Sequence, residues 1–259
     1  MEVPMIDIHS HIIWGVDDGA RNREDSIAML RLAAETGTTD IVATPHCDRQ
    51  YKFDPAVRDE RIRELMDETG GVPRIHPGCD FRLSFDNVRI GLQEPARFTI
   101  NGLRYLMLEF EDALIPPTTE EIFRRFMERG ICPVITHPER NPILQGSYER
   151  LQSWKRMGCL LQVTAQCLTD RFGKAVRESA WELLRGGLVH VVASDGHDTE
   201  RRPPRLDLAR DILTREMGAE AAELLLVTNP LAILAGEPAW GCASAAMELR
   251  KKSWLAFWR

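Results

Sequence analysis

Short apolar runs alternate along this chain with stretches of helical period, and nearly every run stops close to a histidine or a carboxylate. The alternation is the tightest constraint on the fold. Runs at 5–8, 40–43, 74–78, 104–108, 132–135, 159–163 and 188–193 read as strands. Stretches at 23–36, 55–68, 118–129, 147–157, 172–185, 205–217, 219–226 and 230–235 read as helices. In the first of these, Ile27, Leu30 and Ala34 recur at i, i+3 and i+7, and Gly37 can cap the end. Strands followed in turn by helices predict an α/β fold of parallel strands covered by helices. The 259 residues suit one barrel-sized unit, which typically takes about 250. No linker or shift in composition appears before about residue 236, so residues 1–236 are expected to form one domain and 237–259 a separate tail.

Charge and cysteine usage exclude several classes. The net charge of −6 argues against nucleic acid as a partner, because phosphate backbones are held by clustered Lys and Arg. No stretch approaches the ~18 consecutive apolar residues of a membrane span. The opening MEVPMIDIHSH lacks both the basic and the apolar region of a secretory signal. The six cysteines contain no CxxC pair, so reduced thiols and a cytoplasmic setting are expected.

The residues at the run ends carry the chemistry. His9, His11 and Asp18 follow the first run, His46 the second, Asp80 the third, Glu109 the fourth, His137 the fifth, and Asp195 with His197 the last. In a closed α/β barrel such ends converge on one face. Side chains at i and i+2 of a strand point to the same side, so His9 and His11 can grip one cation, and Asp195 and His197 repeat the arrangement. Imidazole and carboxylate suit Zn, Mn and Fe(II). Nine ligands are too many for one ion and suit two or three, with a carboxylate bridging. Clustered cations would also let so many carboxylates coexist. His76 and His190 lie inside runs and read as structural.

These stretches resemble a known family. MIDIHSHIIWGVDDGA, IVATPH, HPGCDFRL, LMLEF, PVITHPERN and VHVVASDGHDTERRPP, with the weaker VTNPLAIL, are similar to the PHP (polymerase and histidinol phosphatase) superfamily. The nearer resemblance is to its bacterial tyrosine-protein phosphatase branch, associated with capsule and exopolysaccharide synthesis. The resemblance implies a distorted (β/α)7 barrel holding up to three divalent cations, usually manganese, with zinc or iron(II) as alternatives. It implies that His9, His11 and Asp195 serve one metal, Asp18, His46 and His197 a second, and Glu109 with His137 a third. Asp80 stands where the family usually has a bridging glutamate. Arg140 and Arg202 match arginines that hold phosphoryl oxygens, and Arg82 is a weaker candidate for the same role. The implied substrate is a phosphotyrosyl protein, a membrane-anchored tyrosine kinase, met at the inner face of the membrane. Members of the family can assemble as homo-oligomers.

The chemistry implied is in-line attack of metal-bound hydroxide on phosphorus, without a covalent intermediate. The rival route uses a Cys thiolate six residues before an Arg. Six residues after the cysteines stand Phe53, Phe85, Pro138, Ala165, Gly173 and Glu248, so that loop is absent. A small-molecule phosphomonoesterase, such as a histidinol-phosphate phosphatase, is the alternative on the same metals. An amidohydrolase-type hydrolase is disfavoured, because no lysine stands at a run end. The tail is basic and aromatic, with Trp240, Trp254, Trp258, Arg250, Lys251, Lys252 and Arg259. Such a segment suits packing back on the domain or peripheral membrane contact.

Overall fold

The computed structural model of this chain describes residues 4–239. Its strands sort into two parallel sheets. The smaller holds β1 (Met5–Ser10), β2 (Thr38–Ala43) and β4 (Arg74–Pro77), in the order β1-β2-β4. The larger holds β3 (His46–Cys47), β5 (Asp80–Arg82), β6 (Tyr105–Glu109), β7 (Cys132–Thr136), β8 (Leu160–Thr164) and β9 (Val191–Ala193), in the order β3-β5-β6-β7-β8-β9. The α/β class therefore stands. A single ladder closing the strands into a ring of seven is not seen among the described residues.

Two of the expected strands, β2 and β4, are each followed by a short strand that the sequence does not predict, and the step between them moves the chain from one sheet to the other. Pro45 separates β2 from β3, and having no N–H it cannot continue the ladder. Gly78 and Cys79 separate β4 from β5. The crossings stay aligned: Thr44 N donates to Ser10 O, Gly78 N to Ala43 O and Asp80 N to Pro45 O, at 2.8 to 3.1 Å. Glycine is required at 78, since a Cβ there would lie 2.7 Å from a methyl of Val42. At the other edge, Ser10 and Gly196 form an isolated parallel bridge, with His11 N donating to Gly196 O and Asp195 N to His9 O. That bridge brings the first and last candidate ligands side by side.

The helices follow the apolar periodicity. α1 (Arg23–Glu35) is capped by Asn22, whose side chain accepts from Asp25 N at 2.8 Å. α2 (Pro55–Thr69) starts on Asp54 with Pro55 in its first turn and ends at Gly70, φ 62°. α3 (Phe85–Gln93) was not expected from the sequence. Its signals were present: Ser84 caps it by accepting from Asn87 N, and Val88, Gly91 and Leu92 form its buried stripe. Gly91 obscured the pattern, yet it is there so that Phe81 can approach; a Cβ would lie 2.9 Å from the ring. α4 (Thr119–Met127), α5 (Tyr148–Met157), α6 (Lys174–Arg185) and α7 (Asp207–Met217) fall where expected. α8 (Ala219–Glu223) passes through a π turn at Leu224–Thr228 into α9 (Asn229–Ala235), which absorbs Pro230. None of the described helices is long and apolar enough to cross a membrane.

The sheet is anchored from its outer face. Phe110 stacks on Trp154 at 5.3 Å and Phe123 meets the same indole edge-on, while Trp154 Nε1 donates to Glu120 at 2.7 Å. Truncating so large a buried side chain typically costs about 3–5 kcal/mol. The expected tail, apart from its first residues, lies outside the described residues, as do Cys242 and Trp240, Trp254 and Trp258.

Candidate metal centre

Strand geometry brings the expected ligands together. His9 and His11 leave β1 on the same side, both fully buried, with Nε2 atoms 3.4 Å apart. Asp195 follows β9, and its Oδ1 lies 3.5 Å from His9 Nε2 and 3.3 Å from His11 Nε2. Asp18 comes from the loop after β1. That loop closes by Ala20 N donating to His11 O, so tightly that a Cβ on Gly19 would collide with that oxygen. Asp18 Oδ1 lies 3.3 Å from His46 Nε2 and 3.4 Å from His197 Nε2.

Asp80 occupies the middle. Its Oδ2 is 3.1 Å from His46 Nδ1 and 3.6 Å from His9 Nε2. Glu109, at the end of β6, is 3.6 Å from His46 Nδ1 and 3.5 Å from His137 Nε2. Three sets of ligand atoms are mutually within 4.8 Å: His11, Asp18, His46 and His197; His9, His11 and Asp80; and His46, Asp80 and Glu109. Seven of the nine expected side chains thus fall into sets, with His11, His46 and Asp80 shared between them; Asp195 and His137 belong to no set but adjoin them through His9, His11 and Glu109. His137 and Asp195 hold left-handed backbones, φ 31° and 52°, which are strained for residues with a Cβ.

The residues fit cations on a direct observation. Among the described residues Asp80 Oδ1 is buried with no partner, while Asp80 Oδ2, Glu109 Oε2, His46 Nδ1 and His197 Nε2 are buried and meet only ion-pair neighbours, none in hydrogen-bonding geometry. Leaving such an atom unsatisfied costs about 1–3 kcal/mol. Nitrogen and oxygen donors at this spacing suit Mn, Zn or Fe(II). The electrostatics agree. Burial pushes the Asp80 carboxyl up, but the His46 and His9 imidazoles outweigh it and hold it well below the usual range. Burial and the Asp80 charge push Glu109 up to about 8. His46 is raised to about 12, because its carboxylate neighbours Asp18 and Asp80 overcome the cost of burial. So much acid in so little solvent calls for positive charge close by, which the imidazoles and arginines give in part and bound cations would complete.

The arginines line the same place. Arg140 Nη1 and Arg202 Nη2 both donate to Asp195 Oδ2. Arg82 Nη2 lies 2.8 Å from Glu109 Oε2. A cavity of about 150 Å³ between Arg82, Glu109, His137 and Arg140 opens onto the centre. His76 and His190 stand outside, as expected: His76 Nε2 pairs with Asp40 at 2.8 Å, and His190 Nδ1 accepts from Leu161 N at 3.1 Å. The five described cysteines are free and buried, and none heads a phosphate-cradling loop.

Three supporting residues escaped the sequence reading. Asp17 accepts from His11 Nδ1 at 2.8 Å and from the N–H groups of Gly19 and His46 at 3.0 Å. Gln162 Oε1 accepts from His9 Nδ1 at 3.0 Å. Asp7 accepts from the Ser194 N–H at 3.0 Å and from the Ser194 hydroxyl, clamping β1 to β9. Burial pushes the Asp7 carboxyl up to about 6 despite these donors. Only Asp17 left a mark in the sequence, as the first of two adjacent aspartates before a glycine.

Comparison with known proteins gives one answer. The profile of the family described as "Capsular polysaccharide synthesis, CpsB/CapC" matches residues 5–235. Tyrosine-protein phosphatase YwqE of Bacillus subtilis (strain 168) is 33% identical over 229 residues, covering 85% of this chain and 88% of that protein. Tyrosine-protein phosphatase CpsB of Streptococcus pneumoniae is 33% identical over 239 residues, covering 89% and 98%. A solved structure from work on these two proteins, described there as "unique metal-dependent tyrosine phosphatases", superposes with a TM-score of 0.85 at 31% identity, covering 92% of this chain and 98% of that one.

Proposed function

We propose a function from a plain premise: this chain belongs to the CpsB/CapC capsular polysaccharide synthesis family. It is a metal-dependent tyrosine-protein phosphatase, a hydrolase of phosphoric monoesters that uses no cysteine nucleophile. The observation that carries this is the meeting of seven nitrogen and oxygen ligand side chains, with Asp195, His137 and three arginines against them, at one strand end. Residues 1–236 make the phosphatase domain, which we read as the distorted seven-unit barrel, with the Ser10–Gly196 bridge joining its two sheets.

In this reading His9, His11 and Asp195 would hold one cation, Asp18, His46 and His197 a second, and Glu109 with His137 a third. Asp80 would be shared between them, and its buried carboxylate and its place between His9 and His46 support that role. Manganese is the favoured ion, with zinc or iron(II) as alternatives. When bound, the cations supply an acidified water as nucleophile and draw charge from the phosphoryl oxygens. Asp17 and Gln162 hold His11 and His9 in the tautomer whose Nε2 faces inward. Arg140 and Arg202 offer planar forks matched to phosphoryl oxygens, and Arg82 a third. The departing phenolate, of pKa about 10, needs less help than an alkoxide.

The substrate in this proposal is a membrane-anchored tyrosine kinase, reached from the cytoplasm at the inner face of the membrane. Elemental analysis of the purified protein, joined to assays on a phosphotyrosyl peptide with each added metal, tests the reading. Metal below one equivalent in an active enzyme would overturn it. Assays beside histidinol phosphate separate it from a small-molecule phosphatase. Deleting 240–259 should weaken liposome binding and leave small-substrate hydrolysis intact; unchanged binding discards the membrane role of the tail.

A further inference from the structure

A groove between α3 and α4 opens beside the metal centre and takes no part in the chemistry above. Its floor is apolar, formed by Leu83, Val88 and Leu92, and its volume is about 740 Å³. Its rim is basic. Arg89 and Arg125 are exposed and form no ion pair among the described residues, and Glu121 is the one acid that lines the groove with them. Arg129 is occupied differently: it donates to Leu92 O and Arg125 O, both at 3.0 Å, and ties the two helices together. Phe85, also in the lining, is 85% exposed, more than any other exposed large apolar side chain among the described residues.

Position links the groove to the reaction. β5 ends at Arg82, 2.8 Å from Glu109, and only Leu83 and Ser84 separate it from Phe85. Three Cα steps of about 3.8 Å place Phe85 within about 11 Å of Arg82. An extended peptide advances about 3.3 Å per residue, so a chain with its phosphotyrosine at the metals reaches the groove in about four residues. Unpaired arginines around an apolar floor select a segment that is acidic and carries aliphatic or aromatic side chains. A symmetric contact between two copies would set Arg89 and Arg125 against the same arginines, which favours such a peptide over a second copy of this protein.

We propose that this groove docks an acidic, apolar-bearing segment of the phosphotyrosyl substrate, about four to eight residues from the phosphotyrosine. The proposal rests on the phosphatase reading, and the test keeps the two apart. The manganese-loaded full chain is assayed on p-nitrophenyl phosphate and on a five-residue phosphotyrosyl core peptide. It is also assayed on the core extended on either side by six residues of Asp, Glu, Leu and Phe, and on the same extensions with Lys in place of the acids.

The expected result is a kcat/KM about tenfold higher for the acidic extension on one side, expressed in KM, with no gain for the Lys version. Arg89→Glu with Arg125→Glu should remove that gain, as should Phe85→Ser alone, while p-nitrophenyl phosphate and the core stay within twofold. Equal kcat/KM for every peptide overturns the docking proposal and leaves the phosphatase reading standing. If neither p-nitrophenyl phosphate nor the core is hydrolysed, the phosphatase reading fails. Anisotropy of the fluorescein-labelled, unphosphorylated acidic extension then decides the groove: binding lost in the double variant supports it, and no binding overturns it. A changed sedimentation coefficient in the double variant, with no extension effect, assigns the groove to contact between copies and also overturns the proposal.

Discussion

Asp17 accepts a hydrogen bond from His11 Nδ1 at 2.8 Å, and this contact decides which nitrogen of His11 faces the centre. A carboxylate only accepts, so Nδ1 is the donor and Nε2 is the nitrogen turned toward Asp195. Burial raises the Asp17 carboxyl, but His11 and the Gly19 N–H outweigh it and hold the group below its ordinary range. Asp17→Asn keeps the shape and loses the fixed acceptor. We expect metal affinity to fall about 10–100-fold, read by competition with a chromogenic chelator. The apo-protein's melting temperature should move much less, and equal affinity would show that Asp17 does not position His11.

Arg140 and Arg202 share one oxygen of Asp195. Arg140→Lys keeps the charge and loses the fork, which is not a conservative change at a bidentate site. We expect kcat/KM on phosphotyrosyl peptide to fall about 10²–10³-fold for Arg140→Ala and for Arg202→Ala, the usual cost of deleting a donor to a developing charge. Metal content by elemental analysis should hold. If metal is lost in parallel with activity, these arginines serve Asp195 and not the phosphoryl group.

Cys47 adjoins His46, and its thiol is buried. The thiol is not the nucleophile in a metal-dependent reaction. Cys47→Ser should retain more than about half of the activity, while chelation abolishes it and added manganese restores it. A dead Cys47→Ser protein with full metal content would refute the cysteine-free mechanism.

His190 sits away from the metals, and burial lowers its pKa to about 4, helped by the Lys155 charge. Nδ1 accepts from the Leu161 N–H, so protonation there breaks a bond between the last strand region and β8. The folded pKa lies below the unfolded value of about 6.5, so between pH 6.5 and 4 the unfolded chain binds more protons. Stability is therefore full above about pH 6.5 and falls as the pH drops toward 4, by up to about 3 kcal/mol from this group. His190→Asn keeps an acceptor and has nothing to titrate. Urea midpoints of both proteins in chelator should diverge as the pH is lowered across that window, and parallel curves would assign the acid lability elsewhere.

Much of this was legible in the sequence, because the information is local or periodic. Apolar runs of strand length and helices at i, i+3, i+4 spacing set the α/β class. Histidines and carboxylates at the run ends marked the ligand set, since strand alternation sends His9 and His11 to one side and parallel strands carry their ends to one edge. Other features depend on contacts between distant segments. Pro45 and Gly78 stand where the chain steps from one sheet to the other, so that His46 pairs in register with Asp80. α3 keeps a glycine at position 91 because Phe81 packs against it, a contact no local spacing encodes. Gln162 and Asp7 act only because β9 is bridged to β1 and β8 pairs with β9, and no spacing in one chain encodes that neighbourhood. The residue types alone pointed to divalent cations as the class of ligand. Which nitrogen faces inward, which carboxylate stands between two imidazoles, and which arginine reaches which oxygen were settled by packing, because hydrogen bonds act over about 3 Å and only the folded chain brings those atoms within that range.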